Sequence, residues 1–233
     1  MTGIILLFMP FFVSPVVFGF YETFNKMHPL VMSFLKFAVL ATMGESIGLR
    51  IKEGRFNYKG FGLLPRAIVW GFLGLTIQMA FVIFSQGVPM FLTKTLGLEL
   101  GVPEAMTFGS KLLIAFCISL TMNVIYAPVM MTMHKITDTH ILNNGGTVNG
   151  FLHPLKMGEI LSQINWQVQW NFVFKKTIPF FWIPAHTITF MLPPEYRVLF
   201  AALLGIALGV ILSFAAIKGV RTPSISQGEI KKI

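Results

Sequence analysis

The chain has 233 residues, 55% of them hydrophobic and 12% charged, with a mean hydropathy of +0.73, which is too apolar for an ordinary soluble domain. Its net charge of +9 would suit nucleic acid, but the basic residues follow the loops of a membrane topology, and no nucleic-acid partner is expected. The single cysteine, Cys117, excludes a disulfide framework and reads as a small buried packing residue.

Crossing hydrocarbon takes about 20 mostly apolar residues per helix. Residues 1–27 form an N-terminal apolar segment. Within it Gly3–Phe20 carries Pro10 and Pro15 and no basic leader, so it reads as a sixth span or an interfacial helix, not a signal peptide. Residues 28–217 form the bundle, with core spans at His28–Leu49, Arg66–Pro89, Lys111–Met133, Trp170–Leu192 and Val198–Ile217. Asn57–Leu64 and Gly97–Pro103 are short connections, whereas Thr137–Pro154, with "NNGGTVNG" at its heart, reads as one long flexible loop. Ile164–Phe174 alternates apolar with polar residues; a helix at the interface, with Trp166 and Trp170 at headgroup depth, costs less there than an unpaired strand. Residues 218–233 are a polar cytoplasmic tail. One alternating segment does not make a β-barrel. The expected class is all-α, a polytopic transmembrane helical bundle of five core spans plus the sixth N-terminal segment.

Charge orients it. With the loop after Leu49 in the cytoplasm, the same side receives Arg50, Lys52, Arg55, Lys59 and Arg66, then Lys135, Lys156, Lys175 and Lys176, then Lys218, Arg221, Lys231 and Lys232. The opposite side keeps Lys26, Lys94, Lys111 and Arg197. This asymmetry places the C-terminus in the cytoplasm.

Four spans carry a polar group near their middle: Lys36, Gln78, Asn123 and His186. Such groups are expensive in hydrocarbon and usually face the bundle interior, so together they are candidates for one pore-lining layer. The alternatives are interhelical hydrogen bonding for the amides, a satisfied core histidine, and a snorkelling lysine. Glu45 lies about 13 Å along the helix from Lys36 and on the opposite face, so it is expected to pair instead with Arg66, bracing or gating the cytoplasmic mouth. Ala201, Gly205, Gly209 and Ser213, spaced by four, form a packing seam for a neighbouring helix of the same chain or for a homo-oligomer. His134, Asp138, His140 and His153 match no zinc-ligand spacing and read as a solvated loop. No metal, cofactor or nucleophile motif is present, so an enzyme is not expected.

The stretch "FWIPAHTITFMLPPEYR", residues 181–197, remains. Pro184 cannot donate to the carbonyl of Phe180, so the helix must kink, and His186, Thr187 and Thr189 stand within reach of the freed oxygen. Pro193 and Pro194 then end it. Trp182, Pro184, Phe190, Pro194, Tyr196 and Arg197 resemble the C-terminal signature of the Mpv-seventeen and peroxisomal-membrane-protein-twenty-two family, in which His186 and Thr189 replace a Gln and an Asn. "HPL" at His28–Leu30, "MGESI" at Met43–Ile47, Arg66 and "YAP" at Tyr126–Pro128 are similar to further family boxes. Met122 and Asn123 stand where the family has Asp-Gln.

The resemblance implies a small integral membrane channel or permeability protein passing ions or metabolites, with the bilayer and small solutes as its partners. Its divergence, together with the absence of an organellar presequence, points to a bacterial cytoplasmic membrane. A non-transporting structural or assembly protein and an ion- or proton-coupled carrier are the alternatives.

Overall fold

The computed structural model describes residues 9, 13–101 and 105–220, and within these every regular element is a helix. Gly3–Leu7 and most of the polar tail, including Arg221, Lys231 and Lys232, lie outside the described residues. The order is α1 (Pro15–Met27), α2 (Pro29–Glu53), α3 (Leu63–Met90), α4 (Phe108–Ile125), α5 (Ala127–Asn143), three short helices α6 (Val148–Phe151), α7 (Met157–Gln163) and α8 (Trp166–Val168), then α9 (Ile183–Met191) and α10 (Pro194–Val220). Two stretches widen into π-helix, Phe91–Thr95 at the end of α3 and Gln169–Trp182 leading into α9.

Among the described residues, four helices are long and apolar enough to cross a membrane: Pro29–Glu53, Leu63–Thr95, Phe108–Ile125 and, within α10, Pro194–Ile211. Their outward faces carry large apolar side chains, with Phe72 59% and Phe108 71% exposed. In water such a surface would be a liability; lipid tails cover it at no cost.

α2 is the central helix. Ser33, Lys36, Phe37, Leu40, Ala41, Gly44 and Gly48 recur at helical spacing and are all buried, because α3 and α10 pack on either side. The approach to α3 is close enough that a Cβ on Gly74 would lie 2.7 Å from the Ser33 carbonyl oxygen, and the Ser33 hydroxyl donates to Gly74 O at 2.7 Å. On the other side the predicted small-residue seam of α10 packs within the chain. A Cβ on Gly209 would lie 3.3 Å from Gly44 O, and Ser213 Oγ lies 3.0 Å from the position a Gly48 Cβ would take. A Gly205 Cβ would meet nothing within 4 Å. Gly54, at φ +78°, ends α2 through its N–H to Arg50 O, a left-handed cap that suits glycine.

The principal core joins Phe37 and Leu40 of α2, Ile77 and Phe81 of α3, Ile118 and Met122 of α4, Phe190 of α9 and Ala201 and Ala202 of α10. Ile136, Ile160 and Ile164 form a smaller cluster beneath α5 and α7.

Three expectations change. The third span, Lys111–Met133, is two helices, because Pro128 cannot donate to Val124 O and the chain turns at Tyr126. The long loop Thr137–Pro154 is helical to Asn143, reverses through Gly145 and Gly146 at φ +70° and +67°, and re-enters helix at Val148 with Thr147 as its cap. Trp170–Leu192 is not among the four long apolar helices: exposed Lys175 and Lys176 interrupt its hydrophobicity, and it is π-helical to Trp182, where Ile183 N bonds Ile178 O. The segment from Trp166, expected at the interface, is helical, and both Trp166 and Trp170 are exposed.

Candidate functional site

The predicted mid-span polar residues fall into two groups. Lys36 is 7% exposed, and its ammonium donates to Asn25 Oδ1 at 2.5 Å and sits 5.4 Å from the Tyr21 ring centroid. Both partners come from α1, which turns back onto α2 at the His28–Pro29 break. Lys36 and Gln78 line one half-open cavity of about 290 Å³, together with Asn25, Lys26, Glu195 and the first residues of α2 and α10, Pro29 and Pro194. Asn25 Nδ2 also donates to Glu195 O at 3.3 Å, tying α1 to the start of α10.

Asn123 and His186 form the second group, which is closed. The Asn123 carboxamide lies 3.0 Å from His186 Nδ1 and donates to Ser119 O at 2.8 Å, with no exposed surface on Asn123. His186 lies against Trp182 and edge-on to Phe81, centroids 5.1 and 5.9 Å away. Phe81 is one turn along α3 from Gln78, so the rings of Phe81 and Phe190, 5.0 Å apart, stand at the height where the two groups approach.

Pro184 occupies the first turn of α9, a position that tolerates the missing N–H. The hydroxyls expected to satisfy Phe180 O act elsewhere. Ser119 and Thr187 both donate to Ile183 O, at 2.7 and 2.8 Å, and Thr189 donates to Ala185 O at 2.9 Å. His186 turns to Asn123 instead.

At the other end of the bundle Arg66 pairs with Glu45 at 2.5 Å, as the helix-end positions predict. The pair belongs to a larger network. The same guanidinium nitrogen bonds Asp138, Arg66 Nε donates to Phe61 O, Trp70 Nε1 donates to Glu45 Oε1 at 2.7 Å, and His134 Nε2 lies 3.0 Å from that oxygen. His134 and Asp138 are therefore not part of a solvated loop: α5 presents them on one face, four residues apart, to the ends of α2 and α3. That spacing was the available signal. Beyond the end of α4, burial would lower the His134 imidazole, but its hydrogen bond to Glu45 and the charges of Glu45 and Asp138 outweigh burial and hold it above the usual histidine range. Glu45, His134 and Asp138 bring ligand atoms within 4.8 Å of one another. Arg66 already supplies a positive charge to both carboxylates, and His134 also faces Glu45.

The remaining motif residues build the turn between α9 and α10. Arg197 Nε donates to Leu192 O at 2.9 Å and an Arg197 terminal nitrogen to Phe190 O at 3.2 Å, so the guanidinium satisfies the frayed carbonyls that end α9. Tyr196 donates to Glu22 Oε1 at 2.9 Å. Pro194 opens α10.

No family model, no curated relative and no solved structure matches the chain.

Proposed function

We propose that this chain is a small integral membrane permeability protein that passes small solutes through the bundle. One observation carries the reading: an aliphatic amine, Lys36, is buried in a central helix and reaches a half-open cavity shared with Gln78. A charge at that depth is expensive unless water or a counter-ion reaches it. On this reading the cavity is the outer vestibule and the Phe81 and Phe190 rings are the constriction. The Asn123–His186 pair lies beyond them, and the Glu45–Arg66 network closes the cytoplasmic mouth. The resemblance to the Mpv-seventeen and peroxisomal-membrane-protein-twenty-two family points the same way.

The reading includes five crossings. Pro29 and Pro194 line the same cavity, so α2 and α10 start on one side of the membrane. After α2, α3 and α4 the chain is on the other side and has to return. Gln169–Met191 makes that return, supported by Phe81 meeting both His186 and Phe190. The N-terminal segment is the sixth candidate, the C-terminus is cytoplasmic, and the setting is a bacterial cytoplasmic membrane.

Purified protein in liposomes is expected to raise solute flux above that of empty vesicles, and Phe81→Ala to raise it further. Flux equal to empty vesicles across pH and voltage rejects the proposal. The mutual satisfaction of Asn123 and His186 favours a second reading, a non-transporting assembly protein. Under it Lys36→Met and His186→Ala change thermal stability and leave flux at background.

A further inference from the structure

We infer that the Lys36 cavity is a binding site for a small anion of the carboxylate class, entering from the side on which α2 and α10 begin. Three observations converge on one volume. Lys36 brings a buried ammonium whose hydrogen-bond partner, Asn25 Oδ1, is neutral, so the bond solvates the charge without neutralising it. Lys26 lines the same cavity, and among its described lining residues the only carboxylate is Glu195, which leaves a net single positive charge. Pro29 and Pro194 place two helix N-termini there, of 25 and 27 residues, whose dipoles favour negative charge and are partly offset by the C-terminal end of the 13-residue α1, which shares His28 as its cap. Gln78 adds a carboxamide to orient the ligand.

The volume, about 290 Å³, matches roughly nine or ten waters at about 30 Å³ each. That is room for a carboxylate of a few heavy atoms with part of its hydration shell. The buried charge is single and no second cation faces it from α3, so a monoanion is preferred to a dianion. A lipid phosphate offers the same charge chemistry from the membrane side. Glu22 is not among the lining residues; it accepts a hydrogen bond from the Tyr196 hydroxyl.

The site names the solute class for the path proposed above and rests on that reading for its role in transport, but binding is measurable apart from flux. The full chain in phosphatidylcholine nanodiscs is titrated with sodium [13C]acetate and followed by saturation-transfer NMR. A saturable signal is expected, at least ten-fold weaker in Lys36→Met, largely kept in Lys36→Arg, and two- to five-fold stronger in Glu195→Gln, with thermal midpoints recorded for each variant. The Glu195→Gln arm tests the site even where Lys36→Met does not fold.

Nanodiscs containing phosphatidylglycerol separate the two sources: acetate binding abolished there, with Lys36-dependent lipid retention in native mass spectrometry, assigns the site to a headgroup. Acetate binding that is absent from the wild type in both bilayers without such lipid retention, unchanged in Lys36→Met, or indifferent to Glu195→Gln overturns the inference. Bound acetate with flux at the empty-vesicle level removes the path and leaves the site. Flux without acetate binding removes the site and leaves the path.

Discussion

Replacing Gly74 by alanine tests the central packing of the bundle directly. The new methyl would lie 2.7 Å from the Ser33 carbonyl oxygen and 2.8 Å from Phe37 Cβ. Neither atom sits at the end of a side chain that can rotate away. To return the first contact from 2.7 Å to an ordinary 3.4 Å, α2 and α3 must part by about 0.7 Å along that line. Overpacking of this kind costs about 1–3 kcal/mol. The Ser33 Oγ to Gly74 O bond, 2.7 Å in the native chain, is stretched as the helices separate, and interhelical bonds in membranes average about 0.6 kcal/mol. Alanine's better helix propensity returns up to about 1 kcal/mol. The net expectation is destabilisation by about 0.6–2.6 kcal/mol. Sodium dodecyl sulfate titration of the purified protein in mixed micelles, followed by helix content, measures it. Gly205→Ala is the internal control: a Cβ there meets nothing within 4 Å, so it should be neutral or stabilising. Equal midpoints for wild type and Gly74→Ala, or a greater loss from Gly205→Ala, would refute the reasoning.

Three further outcomes follow from the polar networks. Arg66→Leu leaves Glu45 and Asp138 with only the His134 imidazole facing them and is expected to cost about 3–5 kcal/mol, partly recovered by adding Asp138→Asn, in the same unfolding titration. Because His134 is held above the usual histidine range in the folded chain, its contribution to stability is complete below about pH 6.5 and declines as pH rises through the raised folded value. Thermal midpoints should therefore fall with pH above that point in the wild type but not in His134→Gln, with Glu45, Asp138 and Arg66 as the charges facing the ring. Asn123→Ala and His186→Ala should each destabilise by leaving the other partner unpaired. The double variant should cost less than the sum by about 1 kcal/mol or more in a mutant cycle.

Much of the architecture follows from local pattern. Apolar runs long enough for hydrocarbon mark α2, α3, α4 and α10, and the small-residue spacing that includes Gly209 and Ser213 marks the face that α10 turns to α2, with Gly205 left open. The Glu45–Arg66 pair was legible because two helices joined by a short connection bring their facing ends level. The rest depended on contacts that spacing along one helix does not encode. Asn25 reaches Lys36 only because the chain reverses at His28–Pro29. His134 and Asp138 were hidden by reading Asn143–Gly150 as the core of a longer loop, although their i, i+4 spacing on a continuing helix would have placed them beside Arg66. The widening of Gln169–Trp182 has no local signature beyond Pro179, which forbids one α-helical hydrogen bond without dictating what replaces it.

The 33 residues from Leu63 to Thr95 form a rod about 50 Å long, against about 30 Å of hydrocarbon. Lying wholly within that layer would require leaning by more than 50°, beyond the usual range of about 0–40°. Its far end must therefore stand proud of the acyl chains, with Met90 and Phe91 turned outward where oil gives way to headgroups. Thicker bilayers would wet less of that apolar tip, so the chain should partition toward them and gain thermal stability as acyl length increases.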